Sequence, residues 1–386
     1  MQSIKLAYFG AGNFAQMQHL PELIKRDSVT VSSVVDPSEL DLLKFAQIHQ
    51  DGKGTMPRTF SSLDDFLVSP PDFDAAVIAT PVDSHFVLAT ALLEFGKPLY
   101  IEKPFMVTSR EALEITSKAD HLGVSVVIGA NRCVFPAYRA AANALHQGVI
   151  GTFLGISIYY RHRWDEITKQ SHWRQDSSHP ASGILMDHFA HYGHYLADLG
   201  FTPRIVRHLG TAYNGNGVDT GTCFFLQDMA DRKALLLMDG SPVERERKEE
   251  IKIYGALGRI TVRFENRGSN AYLQIFGKDE EKLDTVPALS EIGRLGISDY
   301  RSHPALLHHF LGIVQGDVTE NVSPACNGVA VASITEAVLK SRGDKRTSTL
   351  TRENLAELVT LFESDSFQER DSSAKFYENG RLIYLQ

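Results

Sequence analysis

From Lys5 to Ile128 short apolar strands alternate with helical stretches, and this alternation constrains the fold more than any other feature of the chain. Strands are expected at Lys5–Phe9, Val29–Val35, Ala75–Ala79, Pro98–Ile101 and Ser125–Ile128, with helices over Asn13–Lys25, Ser38–His49, His85–Phe95 and Ser109–Leu122 between them. Such repetition implies βαβ units and a doubly wound parallel sheet covered by helices on both faces. Gly96 and Gly123 each follow a helix and precede a strand, the place of a C′ glycine.

After Gly129 the texture changes. Thr152–Tyr160, Val206–Tyr213, Gly221–Leu226, Ala234–Met238, Glu250–Tyr254, Arg259–Phe264 and Ala271–Phe276 read as strands with few helices between them, hence a large, mostly antiparallel open sheet. Helices are expected at Pro136–Gln147, around Met186–Leu199, at Pro304–Gln315 and at Gly328–Ser341. A further helix from about Leu350 and a hairpin at Asn379-Gly380 close the chain. At 386 residues one core is too small a unit, so an α/β organisation of two domains and an extension is expected: 1–128, 129–345 and 346–386.

The net charge of −8 disfavours nucleic-acid binding, which needs a basic surface to replace phosphate counterions. No apolar run approaches the roughly 20 residues that cross a bilayer, and no secretory signal is evident. Cys133, Cys223 and Cys326 are odd in number and widely spaced, which fits a reducing cytoplasm better than a disulfide framework.

Gly10-Ala11-Gly12-Asn13-Phe14-Ala15 lies between the first strand and its helix. Gly10 permits a tight turn, Gly12 lets backbone approach a pyrophosphate, and Ala15 is small enough for close helix–strand packing, the pattern of a Rossmann dinucleotide site. Asp36 ends the second strand, 24 residues after Gly12. A carboxylate there accepts ribose hydroxyls and repels a 2′-phosphate, which favours NAD over NADP, although an Asp that only caps the turn before Pro37 reads the same way. Thr80-Pro81 ends the third strand and would line the crevice; His85 suits a ligand contact or simple packing equally.

Glu102-Lys103-Pro104 follows a short apolar strand, so its lysine falls at the carboxyl edge of the same sheet. Lysine beside a bound nicotinamide can hydrogen-bond a substrate hydroxyl and stabilise a developing alkoxide. In Ser182-Gly183-Ile184-Leu185-Met186-Asp187-His188-Phe189-Ala190-His191 the spacing of Asp187 and His191 puts both on one helix face. A histidine oriented by a carboxylate is a suitable base near neutral pH. Metal binding by His188, His191 and His194, with His162, His172 and His179 upstream, is the alternative, but that three-residue repeat spreads the rings around a helix and no cysteine joins them; ordinary helix packing is the other.

Together these residues resemble the Gfo/Idh/MocA family, the relatives of glucose–fructose oxidoreductase and inositol dehydrogenase. The likeness covers roughly residues 3–345. It rests on the glycine turn, Thr80-Pro81 with His85, Gly96-Lys97-Pro98 leading into Glu102-Lys103-Pro104, Gly129-Ala130-Asn131-Arg132, Trp173-Arg174, and Gly183 with Asp187 and His191. It implies a Rossmann domain, a C-terminal α/β domain whose open sheet builds homodimers or homotetramers, and a late helix around 328–341 packing back on the first domain. It also implies catalysis by Lys103, Asp187 and His191, with His191 accepting the proton. Gly10, Gly12, Asn13, Phe14, Ala15, Asp36, Thr80, Pro81, His85, Glu102, Lys103, Asn131, Trp173 and Arg174 are then the expected cofactor contacts. Two departures stand out: Ser182 and Phe189 occupy places commonly held by glycine, and Phe189 is expected to reshape the pocket floor.

The expected activity is hydride transfer between nicotinamide and a secondary alcohol or ketone of a sugar, sugar derivative or cyclitol, without a metal. Arg132, Tyr160, His162, Trp164 and His188 join Lys103, Asp187 and His191 as expected substrate contacts, polar and aromatic groups suiting a polyhydroxylated ring. The alternatives are a glycoside-cleaving enzyme that oxidises its sugar transiently, and a dinucleotide-binding regulator without turnover.

Overall fold

The computed structural model describes residues 3–162, 172–180, 182–240, 248–265, 270–278, 282–283, 305–344 and 347–349. The C-terminal helix and the hairpin expected at Asn379-Gly380 lie outside the described residues. Among the described residues no helix is long and apolar enough to cross a membrane. Contacts divide the chain into two compact units, the first comprising Met1–Met106, Arg110–Asn131 and Gly293–Ala325, the second Val107–Ser109, Arg132–Ile292 and Cys326–Gln386.

The first unit is a six-stranded sheet of β1 (Ile4–Phe9), β2 (Val29–Val35), β3 (Arg58–Phe60), β4 (Ala75–Ile78), β5 (Leu99–Ile101) and β6 (Val126–Ile128), in the order β3-β2-β1-β4-β5-β6. Every pairing is parallel. The order reverses between β1 and β4, which makes the crevice beyond their carboxyl ends the ligand position of an open α/β sheet. β4 is buried along its whole length, as a strand covered on both faces must be. Around the sheet lie α1 (Leu20–Ile24), α2 (Glu39–Lys53), α3 (Leu63–Val68), α4 (His85–Leu93) and α5 (Ser109–Leu122). Gly96 and Gly123 adopt φ values of 61° and 65°, the left-handed backbone expected of them. Strand β3 and helix α3 were not expected, since Arg58-Thr59-Phe60 is short and mostly exposed and carries no apolar run.

Register explains how distant sequence positions meet. Phe9 pairs with Val35 and Ile78, Ile78 with Ile101, and Ile101 with Ile128. The residues that follow each of these, Gly10, Asp36, Ala79, Glu102 and Gly129, therefore share one rim of the sheet. The edge strand β6 is covered by later chain: Ile128 N–H donates to Ser323 O at 2.8 Å and Asn321 Nδ2 to Val126 O at 2.8 Å.

The second unit holds α6 (Pro136–His146), β7 (Phe153–Arg161), α7 (Gly183–Asp198), β8 (Pro203–Tyr213), β9 (Asp219–Asp228), β10 (Lys233–Asp239), β11 (Lys248–Gly255), β12 (Gly258–Glu265), β13 (Asn270–Gly277), β14 (Lys282–Leu283) and β15 (Thr347–Thr349). These strands form a sheet in the order β14-β13-β12-β11-β7-β10-β9-β8-β15, antiparallel except where β10 meets β7. Burial alternates along β10, with Ala234, Leu236 and Met238 inward and Lys233, Leu235 and Leu237 outward. Helix α7 is buried on every side, consistent with its apolar residues lying all round it. Late helices α8 (Ala305–Gln315) and α9 (Ala325–Asp344) fall in different units, α8 in the first and α9, from Cys326 on, in the second.

Candidate active site

In the first unit the glycine turn fits a dinucleotide on its own geometry. Gly10 has φ of 101°, and a Cβ there would stand 2.6 Å from Ala79 O, so no other residue lets β1 and β4 turn this closely. A Cβ on Gly12 would meet nothing within 4 Å, leaving its backbone open for a phosphate to approach. Asn13 and Phe14 are exposed and Ala15 is buried. The carboxylate of Asp36 is held at this turn: Ala11 N–H donates to Oδ2 at 2.7 Å and Ser38 N–H to Oδ1 at 2.8 Å. Asp36 thus caps the turn that leads into α2, whose N-cap is Ser38.

On the neighbouring strand ends, Thr80 is half-buried and Pro81 exposed. His85 is fully buried, with Nδ1 3.1 Å from Phe105 O and Nε2 2.9 Å from Thr80 O. Its ring is committed to backbone, so it braces the Thr80 turn from behind rather than facing a ligand. Burial pulls the His85 pKa below the usual imidazole value, against the opposing pull of those carbonyls. Lys103 is half-buried, directly after the buried Glu102, whose Oε2 accepts the Lys103 N–H at 3.1 Å. Asn131 is buried in the turn that follows β6.

In the second unit α7 carries the Asp187/His191 pair, both buried. Arg174 Nη2 lies 3.6 Å from Asp187 Oδ1, and His188 Nδ1 lies 3.4 Å from Oδ2. The Arg174 guanidinium sits 4.2 Å over Trp173, and Trp173 packs at 5.0 Å on His179. Tyr160 meets His188 at 4.6 Å and stacks parallel to His162 at 6.4 Å. Of the residues expected to read substrate or flank the nicotinamide, Tyr160, His162, Trp173, Arg174, Asp187 and His188 are thus linked by side-chain contacts. Trp164 lies outside the described residues. Among the described residues no group of three His, Cys, Asp or Glu is placed to hold a metal ion.

Arg132 departs from expectation. Its Nε lies 3.0 Å and its Nη2 3.3 Å from the two oxygens of Glu249, with both residues buried and Tyr138 Oη also on the carboxylate. Burial pulls the Arg132 pKa down, and the Glu249 charge more than reverses this, leaving it raised. Arg132 is therefore part of an internal ion pair, not a group held ready for substrate. The Tyr160 hydroxyl is pushed well above its ordinary pKa, first by burial, and stays protonated.

The start of α7 rests on residues that sequence reasoning missed. Ser182 occupies the N-cap without a capping hydrogen bond; Asp219 of β9 caps the helix instead, its Oδ2 accepting Leu185 N–H at 3.2 Å and Arg342 Nη2 at 2.8 Å. Gly183 has φ of 91°, and a Cβ on it would stand 1.4 Å from Asp219 Oδ1. No local signal marks Asp219, which lies 34 residues from Leu185.

With this geometry in place, comparison with known proteins gives two family matches: residues 4–130 to an oxidoreductase family with an NAD-binding Rossmann fold, and residues 138–261 to the GFO/IDH/MocA C-terminal domain. The chain belongs to the Gfo/Idh/MocA family. Among Gfo/Idh/MocA proteins it is 35% identical over 123 residues to the uncharacterized oxidoreductase YdgJ of Escherichia coli, covering 31% of this chain and 34% of that protein. It is 30% identical over 95 residues to scyllo-inositol 2-dehydrogenase (NAD(+)) of Bacillus subtilis, covering 25% of this chain and 27% of that one. The matched stretches thus span about a third or less of these two relatives. The WlbA dehydrogenase of Bordetella pertussis, solved with NADH and UDP-GlcNAcA, shares the fold with a TM-score of 0.72 at 18% identity, over 91% of this chain and 99% of that one. The ring of Phe189, expected at a pocket floor, is fully buried against Phe224 of β9 at 5.2 Å.

Proposed function

We propose that the protein is an NAD-dependent oxidoreductase acting on a secondary alcohol, or the matching ketone, of a sugar, sugar derivative or cyclitol. The observation that carries this reading is the shared rim of the first sheet, where register sets the open glycine turn, Asp36 and Glu102-Lys103 at the ends of β1, β2 and β5. The scyllo-inositol dehydrogenase among the relatives, and a dehydrogenase of the same fold solved with UDP-GlcNAcA, support the substrate class. Gly10, Gly12 and Ala15 would hold the pyrophosphate and Asp36 the adenosine ribose, where its charge disfavours a 2′-phosphate and so prefers NAD to NADP. When bound, nicotinamide supplies the hydride acceptor.

In this reading His191 accepts the hydroxyl proton and Lys103 donates a hydrogen bond to the same oxygen, stabilising negative charge as it develops there. Asp187, bracketed by Arg174 and His188, orients the base or a neighbouring hydroxyl. Trp173 offers a ring face suited to the C–H surface of a sugar, whereas the Tyr160 ring is fully buried and packs on His188. The outward row that includes Leu235 and Leu237 gives the second sheet an apolar face that a second copy would cover; a monomer by sedimentation would remove that part of the proposal.

The test is the absorbance of reduced nicotinamide when the purified protein is given NAD and a panel of cyclitols, hexoses, aminosugars and glycosides. Accumulation with one substrate, lost by about a hundredfold or more in Lys103→Ala and His191→Ala while NAD still binds, is the expected result. Cleavage of a glycoside without net reduction would replace it with the internal-redox alternative.

A further inference from the structure

Behind Lys103 lies a buried polar cluster to which the mechanism assigns no role. One turn of π-helix, Ala15–His19, follows the glycine turn, and such turns often mark functional sites. His19 ends it with no exposed surface; its Nδ1 lies 2.6 Å from Tyr8 Oη and its Nε2 3.2 Å from Glu102 Oε1. Tyr100 O–H donates to the same Oε1 at 3.0 Å, and Lys103 N–H donates to Oε2 at 3.1 Å. With Tyr8 donating to Nδ1, the proton of the neutral ring lies on Nε2, which faces Glu102 as a charge contact without hydrogen-bond alignment. The ring of Phe14, on the glycine turn, meets His19 edge-on at 5.1 Å. Gly129 closes the far side, where a Cβ would stand 2.7 Å from Glu102 Oε2.

We propose that His19 is a positioning residue that ties the glycine-rich turn to Lys103, with Glu102 as the link between them. The proposal rests on the oxidoreductase reading, in which the turn and the lysine serve one reaction. The helix that begins at the turn cannot shift without drawing on Glu102, and release of Glu102 frees the peptide that carries Lys103. Burial opposes the charge on Glu102, but His19, the Lys103 charge and Tyr100 outweigh it and hold the carboxyl below its ordinary range. The titratable groups facing this carboxylate are Tyr8 and His19 on one side, Tyr100 and Lys103 on its own stretch, and His85 from α4.

Two substitutions separate the halves of the contact. His19→Asn places an acceptor near the position of Nδ1, keeping the Tyr8 bond and losing Glu102. His19→Gln reaches the position of Nε2, keeping a donor to Glu102 and losing Tyr8. NAD affinity is read by fluorescence titration, and the thermal midpoint of the cofactor-free protein is followed against pH. His19→Asn should weaken NAD binding about tenfold, the scale of one hydrogen bond to a charged group, and His19→Gln by less than about threefold. In His19→Asn the acid limb should flatten, because without that donor the folded Glu102 carboxyl moves back toward its ordinary range and has less stability to lose below 4.5; a role limited to packing would not move that limb. If the two variants behave alike in both readouts, the proposal is overturned. If the native protein binds neither NAD nor NADP, the oxidoreductase reading falls and this proposal with it. Should His19→Asn fail to fold, Glu102→Gln keeps the shape without the charge. The same weakening and loss of the acid limb are then expected, and native affinity there would overturn the proposal.

Discussion

Each unit buries a glutamate beside its candidate residues, and the two are neutralised differently. Glu102 is surrounded by single donors, Tyr100 O–H, His19 and the Lys103 N–H, with no guanidinium on it among the contacts described above. Glu249 is met by Arg132 through two nitrogens, with Tyr138 as well. Position accounts for the contrast. Glu102 lies one residue beyond the last pairing of β5, where the Lys103 N–H turns toward it. Glu249 sits inside β11, paired with Tyr160 on one side and Phe264 on the other, so the ladder has taken the backbone and only side chains remain to balance its charge. A rim carboxylate can draw one of its donors from the fold's own backbone; Glu249, inside its strand, is met by a dedicated cation.

The sharpest test of this contrast is removal of one partner on each side. Arg132→Met leaves Glu249 buried without its cation and should cost about 3–5 kcal/mol in urea unfolding. Tyr100→Phe removes one of several donors to Glu102 and should cost about 1.5–2 kcal/mol. Equal costs would break the comparison. A second pair concerns the glycines. Gly183→Ala meets Asp219 in left-handed backbone and should cost about 2–3 kcal/mol while displacing α7 and lowering turnover. Gly12→Ala has free space and should change stability by less than about 0.5 kcal/mol while weakening NAD binding, as calorimetry would show.

The smallest effect is a pH dependence that arises from His85 in the first unit. His85 is held below its ordinary value of 6.5, so the unfolded chain binds more protons than the fold as pH drops beneath that point. Its contribution is complete above about pH 6.5 and is lost as pH falls toward the depressed folded value. Glu102, also depressed, is lost lower, below its ordinary 4.5. His85→Gln should therefore flatten the fall of the thermal midpoint just below pH 6.5 and leave the lower limb intact. An unchanged slope would show that His85 is not the source.

Much of the first unit was legible because its logic is local. The turn glycines, Asp36 and Glu102-Lys103 each follow a short apolar strand, and in a parallel sheet the carboxyl ends of all strands lie along one edge. Strand β3 escaped notice because three mostly exposed residues leave no periodic trace. Arg132 and His85 were assigned toward ligand because residue type alone shows a donor, not whether that donor is already engaged. Phe189 was expected at a pocket because its neighbours in sequence are catalytic candidates, yet its direction is set by the helix period, which aims it at Phe224.

From the sequence alone came the alternation of elements, the dinucleotide turn, the family resemblance and the helical pairing of Asp187 with His191, all properties of short windows with fixed periods. Tertiary structure alone decided that Asp219 caps α7, that Arg132 answers Glu249 across 117 positions, and that His19 reaches Glu102. The physical reason is burial: a buried polar group needs a partner, and any strand or helix that register brings alongside can supply one, whatever its distance along the chain.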